Sequence, residues 1–329
     1  MKHVNCNICE ADKTKFCFTA KDRNSSEKIL FYLVKCTECG LIYLNPRPDE
    51  EEILKFYPPW YHARAENNVA EIEKSEIWGI PWREAMAKKA EPILKYKTNG
   101  RILDIGCGDG SLLKYLKEKG WEAYGLDFQE ASARYARENL KLNVSTGRVE
   151  EIAFPEESFD IIILFHVLEH LDDPSNVLKK VKTLLKKDGY LLIEVPNIES
   201  FESRLFRSKW VGISAPLHLY HFSRKSLKSM LEKCGYETIE VEFIPEQTKY
   251  VAGFSESLRY MLSDVGLYHT RKKTVTSNEN KSNSNQNELD IFRLNAVHFL
   301  EYKIFKCISH AMDAMGMGSN LLIVSQKIE

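Results

Sequence analysis

The chain has 329 residues, 43% hydrophobic and 28% charged, and its formal charge is −1. These totals fit an ordinary globular protein of two domains, or one decorated domain. They offer no basic excess for nucleic acid or an anionic membrane. The opening stretch MKHVNCNICE lacks the apolar core of a secretory signal. No uncharged apolar run approaches the roughly 18–20 residues of a membrane span, so the expected location is cytoplasmic. In that compartment the eight cysteines read as ligands or core residues rather than disulfides.

In chain order, KFCFTA and ILFYLVK are strand-like runs joined by the polar turn KDRNSSE. Cysteine pairs flank this hairpin: Cys6 and Cys9 before it, Cys36 and Cys39 after it. Two CxxC pairs at this separation predict a tetrahedral four-thiolate zinc site, with Gly40 suited to the tight turn after the second pair. Four thiolates leave no open coordination position, so the Zn2+ is expected to be structural and to supply folding energy to a unit too small for a large core. GLIYLNPRPDEEEILKFY then predicts a short strand, a proline-marked turn and a helix. Asp49 and Glu52 are placed there as a capping box. The aromatic residues Tyr57, Trp60 and Tyr61 follow, read either as a lid over an acceptor or as packing between two units.

From Pro81 a helix leads into a β/α alternation. Strands are predicted at RILDIG, EAYGLD, NVST, FDIIILF and GYLLIEVP, with helices over 111–119, 129–140 and 174–185. Near-continuous apolar strands alternating with helices predict a parallel sheet covered on both faces. A helix over 223–234 and strands at YETIEVEFI and SNLLIVSQK complete the pattern. Between them, residues 272–287 are Asn/Ser-rich and predicted disordered. Residues 296–315 carry helical amphipathicity, read as core packing or as contact with a lipid carrier, a membrane surface or a second copy.

The stretch ILDIGCGDGSLL bares backbone at Gly106, Gly108 and Gly110 after a strand that ends in an acid, Asp104. Glycine is required where backbone passes close to a ligand or takes positive φ. The G-x-G-x-G spacing departs from the G-x-G-x-x-G of dinucleotide sites, and Asp104 suits an ammonium group better than a pyrophosphate. Asp127 ends the next strand, where a ribose-binding carboxylate is expected.

LDIGCGDG, YGLD, FPEESFDIIILFHVLEHLDDP and GYLLIEVPN together resemble class I S-adenosylmethionine-dependent methyltransferases. The N-terminal cysteine segment and APLHLYHFSRKSLKSMLEKCGY extend the likeness to bacterial members with a zinc-binding segment, several tied to sugar or surface-polysaccharide biosynthesis. The resemblance implies a Rossmann-like, doubly wound, mostly parallel seven-stranded α/β sheet with a small N-terminal zinc-ribbon-like β unit. It also implies that Asp104 and Gly106 hold the methionine part, that Cys107 belongs to the cofactor-binding loop, and that Gly108 and Gly110 let the cofactor pass. Asp127 takes the ribose, Phe128, Val149 and Glu150 border the adenine, and His166 lies near the sulfonium. The expected organisation is a zinc-binding unit over 1–48, a linker over 49–80, the core over 81–245, an insertion over 246–295 and a closing helix and strand over 296–329.

Transfer to a hydroxyl or carbon needs a base, and a histidine titrates near working pH. His218, Tyr220 and His221 are the candidates; if that stretch is extended, His218 and Tyr220 face one way and His221 the other. His166, Glu169 and His170 invite a metal reading without a third or fourth ligand in place, and are read first as a pocket wall. The expected acceptor is a small molecule, nucleotide- or lipid-linked sugar foremost. RNA or protein methylation and a non-catalytic zinc adaptor are the alternatives, and oligomeric state is open.

Overall fold

The computed structural model describes residues 1–23, 29–57, 76–77, 80–244, 250–264, 312 and 315–328. Trp60, Tyr61, the Asn/Ser-rich stretch and most of the predicted 296–315 helix lie outside these residues. Strands β1 (Thr14–Lys21), β2 (Leu30–Cys36) and β3 (Ile42–Leu44) precede helix α1 (Glu50–Leu54). The short pair β4 (Glu76–Ile77) and β5 (Ile80–Pro81) and helix α2 (Trp82–Leu94) lead to the main sheet.

That sheet is built from β6 (Arg101–Ile105), β7 (Glu122–Asp127), β8 (Asn143–Thr146), β9 (Phe159–Phe165), β10 (Leu185–Pro196), β12 (Tyr236–Ile244) and β13 (Asn320–Lys327). Its order is β12-β13-β10-β9-β6-β7-β8. The five strands from β10 to β8 run parallel, and β13 pairs antiparallel with both β10 and β12. Helices α3 (Ser111–Glu118), α4 (Glu130–Glu138), α5 (Pro174–Leu184), α6 (Phe201–Phe206), α7 (Arg224–Lys233) and α8 (Tyr250–Asp264) connect or flank the strands. This is the predicted seven-stranded, Rossmann-like architecture. Strand order reverses on either side of β6, which puts a ligand crevice outside the carboxyl ends of β6, β7 and β9.

The elements form for local reasons that the sequence carries. Ile161, Ile162, Ile163 and Leu164 of β9 are all fully buried, as a strand covered on both faces requires. Each contributes about 1.5–3 kcal/mol of apolar burial. Asp49 accepts from the backbone N–H of Glu51 and Glu52 while the Glu52 carboxylate accepts from Asp49 N, the expected capping box. Ser223 caps α7 in the same way, through Ser226.

The sequence did not show β11 (Tyr220–His221). This two-residue strand follows α6 yet pairs antiparallel with β3, completing the N-terminal sheet in the order β1-β2-β3-β11. The N-terminal unit and the core therefore share a sheet, and they share a hydrophobic cluster in which Phe31, Leu33 and Tyr43 pack with Leu219, Tyr220 and Phe222. Arg47, 3% exposed, clamps the junction. Its guanidinium donates to Tyr220 Oη (2.6 Å) and to both Asp172 Oδ1 and Asp172 O (2.9 Å each).

Candidate active site

The glycine loop turns because three glycines take positive φ: Gly106 at 77°, Gly108 at 54° and Gly110 at 78°. Their surroundings separate their roles. A Cβ on Gly106 would lie 2.3 Å from Val167 Cγ2, and one on Gly110 would lie 2.7 Å from Leu142 Cδ1 and 3.0 Å from Ala136 Cβ. Both are therefore needed for packing, Gly110 so that α3 can start against α4 and β8. A Cβ on Gly108 would meet nothing within 4 Å among the described residues. Gly108 is the loop position whose backbone faces open space.

Two acids frame that space. Asp104 is 5% exposed. Burial, with Asp127 and Asp109 nearby, pushes its carboxyl up to about 7 against the opposing effect of Lys89. Asp127 ends β7 and braces the loop. Its Oδ2 accepts from Gly108 N (2.8 Å) and its Oδ1 from Gln129 N (2.9 Å). Burial raises its pKa while these two N–H donors lower it, and the net shift is upward. Each oxygen keeps a second lone pair for a ligand hydroxyl.

Cys107 does not serve the site through its side chain. A Cβ on Gly125 would sit 2.7 Å from Cys107 Sγ, so the thiol points back at β7. Burial pushes its pKa well up and keeps it protonated. The expected cofactor contact at Cys107 is thus limited to its backbone.

Around Asp127, Phe128 is 47% exposed, and the Tyr57 ring lies 5.6 Å from it, tilted by 54°. Val149 is buried and Glu150 exposed. Arg148 is turned to the linker, forming a two-pronged pair with Glu50 of α1 at 2.7 and 2.8 Å. Sequence reading missed Ser111 and Gln129. Ser111 Oγ and both amide atoms of Gln129 are buried without a hydrogen-bond partner among the described residues, next to Gly110 and Phe128 respectively. Such atoms are costly unless a ligand or water meets them. The unobstructed Gly108 backbone, the buried acid and these orphaned groups fit a polar, cationic ligand.

Beyond β9 the chain reverses at His166, which takes φ 57° and donates its backbone N–H to Glu194 O (2.8 Å). Its side chain is 41% exposed, with Nε2 3.2 Å from Glu194 Oε1 and Nδ1 3.4 Å from Glu169 Oε1. Burial alone would lower its pKa, but Glu194 and Glu169 outweigh that and raise it to about 10. The raised pKa favours the imidazolium and makes His166 a poor proton acceptor.

A single turn at Leu168–His170 places Glu169 and His170 beside the 212–221 segment, held by Leu219 N donating to Glu169 O (2.8 Å). The latter segment is turned rather than extended, since His218 N donates to Ser214 O (3.1 Å). The condition for His218 and Tyr220 to share a face, an extended stretch, is therefore not met at His218. His218 packs edge-to-face on His170 at 4.6 Å and lies 6.5 Å from His221. Tyr220 points to the N-terminal sheet, its hydroxyl donating to Asp172 O (2.9 Å) and accepting from Arg47. That hydroxyl is fully engaged, so Tyr220 is a structural tie and not part of the histidine group. His221 is 3% exposed, and its Nε2 donates to Ile213 O (3.1 Å). Burial pushes His218 down to about 3 and His221 to about 4, and lowers His170. All three are neutral imidazoles at pH 7.

At the other end, Cys6 Sγ and Cys39 Sγ are 3.3 Å apart, Cys9 Sγ and Cys36 Sγ 3.5 Å, and the four sulfurs lie within 4.8 Å of one another. These separations exceed the ~2.05 Å of a disulfide. They suit a tetrahedral ion with Zn–S of about 2.3 Å. Two matching turns carry them, with Glu10 N donating to Cys6 O and Gly40 N to Cys36 O.

Residues 82–241 match the family model described as a methyltransferase domain. A Mycolicibacterium smegmatis protein named a probable S-adenosylmethionine-dependent methyltransferase is 27% identical over 149 residues, 44% of this chain and 55% of that protein. The chain thus spans little more than half the length of this relative. A Bordetella avium ubiquinone biosynthesis O-methyltransferase is 28% identical over 178 residues, 50% of this chain and 74% of that one. Among solved structures, the [4+2]-cyclase SpnF superposes with a TM-score of 0.51 at 16% identity, covering 86% of this chain and 97% of that chain; this is a likeness of fold alone. Sequence match, sheet order and loop geometry agree, and over residues 82–241 the chain carries a class I S-adenosylmethionine-dependent methyltransferase domain.

Proposed function

We propose that the protein methylates a hydroxyl or carbon of a small-molecule acceptor, foremost a nucleotide- or lipid-linked sugar, as in surface-polysaccharide or secondary-metabolite biosynthesis. The observation that supports a working cofactor site best is Gly108, whose backbone borders open space in the loop that follows the buried Asp104. When bound, S-adenosylmethionine supplies a methyl group already activated on a sulfonium. The residues then have to bind, orient and exclude water. Asp104 meets the ammonium end, and that positive charge returns its carboxyl to the ionised form. Asp127 takes the ribose hydroxyls on its free lone pairs. Phe128, Tyr57, Val149 and Glu150 enclose the adenine. His166, held by Glu194, borders the methyl end.

On the acceptor side, one neutral ring receives the hydroxyl proton, His170 ahead of His218 because burial depresses His218 more strongly; both are partly exposed, whereas His221 is buried and braces the turn. A structural zinc on Cys6, Cys9, Cys36 and Cys39 holds the sheet whose edge strand, β11, carries His221. A charge of −1 disfavours RNA as acceptor. Relatives named for ubiquinone biosynthesis favour, as a second reading, O-methylation of a non-sugar hydroxyl. Because the same fold occurs in a cyclase, activity has to be measured rather than taken from the fold.

The test is transfer of labelled methyl from S-adenosylmethionine into a fractionated bacterial extract. Label in soluble nucleotide sugars supports the reading; label in the lipid fraction supports a lipid-linked acceptor. Label in RNA or protein overturns it, and absence of label from every fraction favours the non-catalytic alternative.

A further inference from the structure

We propose that Glu169, His170 and His218 form a second metal site, which takes one divalent transition-metal ion and leaves coordination positions open.

One ligand-capable atom from each of the three residues lies within 4.8 Å of the others. The two rings are set as metal-binding histidines are set. His170 Nδ1 is 2.9 Å from Leu217 O and His218 Nδ1 is 2.9 Å from Gly212 O. A carbonyl only accepts, so each Nδ1 carries the proton and each Nε2 keeps its lone pair. Their edge-to-face arrangement, with planes at 88° and centroids 4.6 Å apart, brings both rings against one small volume.

The third member is the independent observation. Glu169 is 1% exposed, and among the described residues neither carboxylate oxygen has a hydrogen-bond partner. Among the described residues its ionic neighbour is His166, whose Nδ1 lies 3.4 Å from Oε1 and whose charge favours the ionised carboxylate. His166 offsets part of the cost of burying this charge, and the lone pairs that no hydrogen bond uses remain for a coordinated cation. The backbone supports the arrangement, because Leu219 N donates to Glu169 O and so pins the segment carrying His218 to the turn carrying Glu169 and His170.

Two imidazoles and one carboxylate select Zn2+, Fe2+, Co2+ or Ni2+ over Mg2+ and Ca2+, which prefer all-oxygen sites. Bonds of about 2.0–2.2 Å require the donor atoms to draw together by roughly 1 Å. His170 and His218 are partly exposed, so the closing movement falls to their rings rather than to the buried Glu169. Three protein ligands leave room for water or an acceptor hydroxyl, whose pKa the ion would lower. In the metal-loaded protein His170 and His218 act as ligands, not as proton acceptors. The site goes beyond the methyl-transfer reading, and its test requires no methyl transfer.

The full chain, with zinc in the four-cysteine site, is titrated with Co2+ and followed by optical spectroscopy and metal analysis. A second equivalent with visible d–d bands and no thiolate-to-cobalt charge transfer is expected. His170→Gln and His218→Gln should each weaken that equivalent at least tenfold. Cys6→Ser with Cys9→Ser should remove only the first. Wild-type protein that binds no second equivalent overturns the proposal whatever the variants do. A second equivalent that both histidine variants retain, with unchanged circular dichroism, places the ion elsewhere and overturns it too. These two measurements decide the matter without substitution of the fully buried Glu169.

Discussion

Tyr220 and Tyr43 are register partners across the antiparallel pair β11–β3, their rings 6.4 Å apart. One belongs to the segment that carries the candidate acceptor histidines, the other to the sheet that carries the cysteines. Through this pairing, a metal ion on the four cysteines is expected to bear on the placement of the histidines.

Replacing Cys6 and Cys9 with serine is expected to release one equivalent of zinc, measured by metal analysis. Because β11 closes the cysteine sheet, the main thermal transition should fall with it by several degrees. A variant that loses zinc yet melts unchanged would show that the two parts are energetically independent.

Arg47→Met should destabilise the protein by about 3 kcal/mol, since it removes charge-assisted bonds to Asp172 and leaves Tyr220 Oη with one partner fewer. Chemical denaturation reads this directly. A loss under about 1 kcal/mol would mean that the buried clamp merely recovers its own desolvation.

The glycine loop gives a paired test. Gly106→Ala meets both positive φ and the Val167 methyl at 2.3 Å, so stability should fall by more than about 2 kcal/mol. Gly108→Ala meets positive φ but no neighbour; stability should fall by about 1 kcal/mol while S-adenosylmethionine affinity drops at least tenfold. Equal effects on stability and affinity in both variants would remove Gly108 from the ligand path.

Asp127→Ala should lower cofactor affinity at least a hundredfold by calorimetry. The fold should survive with a modest loss, because Gly108 N and Gln129 N lose their acceptors. Unchanged affinity would take Asp127 out of the site.

The pH dependence follows from Asp104, held up to about 7 chiefly by burial. A carboxyl raised in the folded state binds its proton more tightly there than in the unfolded chain. Its contribution to stability is full below about pH 4 and is lost as pH rises through about 7. Asp104→Asn should therefore stabilise the ligand-free protein at pH 8 by a few kcal/mol while impairing cofactor binding. Affinity of the native protein should rise with pH through 7, with proton release on binding; a flat profile from pH 6 to 8 would refute this.

The features legible in the sequence are those that short-range chemistry encodes. Four consecutive buried apolar residues in β9, the Asp49–Glu52 capping box and three glycines after Asp104 each dictate a local conformation, and the β/α alternation then leaves little choice of fold. The four cysteines were legible for the same reason, since paired CxxC turns need only a hairpin between them. The rest was settled by long-range packing. Nothing local in HLYHF announces that Tyr220 will pair with Tyr43, because a two-residue strand has no periodicity to read. Nor does it announce that a turn at Ser214–His218 will set His218 against His170 while Tyr220 faces Arg47. Glu169, its neighbour His170 and the distant His218 meet only because the ends of β9 and β10 and the edge of a second sheet converge there. A residue's protonation state, as with His166 between Glu194 and Glu169, is set by that convergence and by burial, neither of which is a property of the residue's neighbours in sequence.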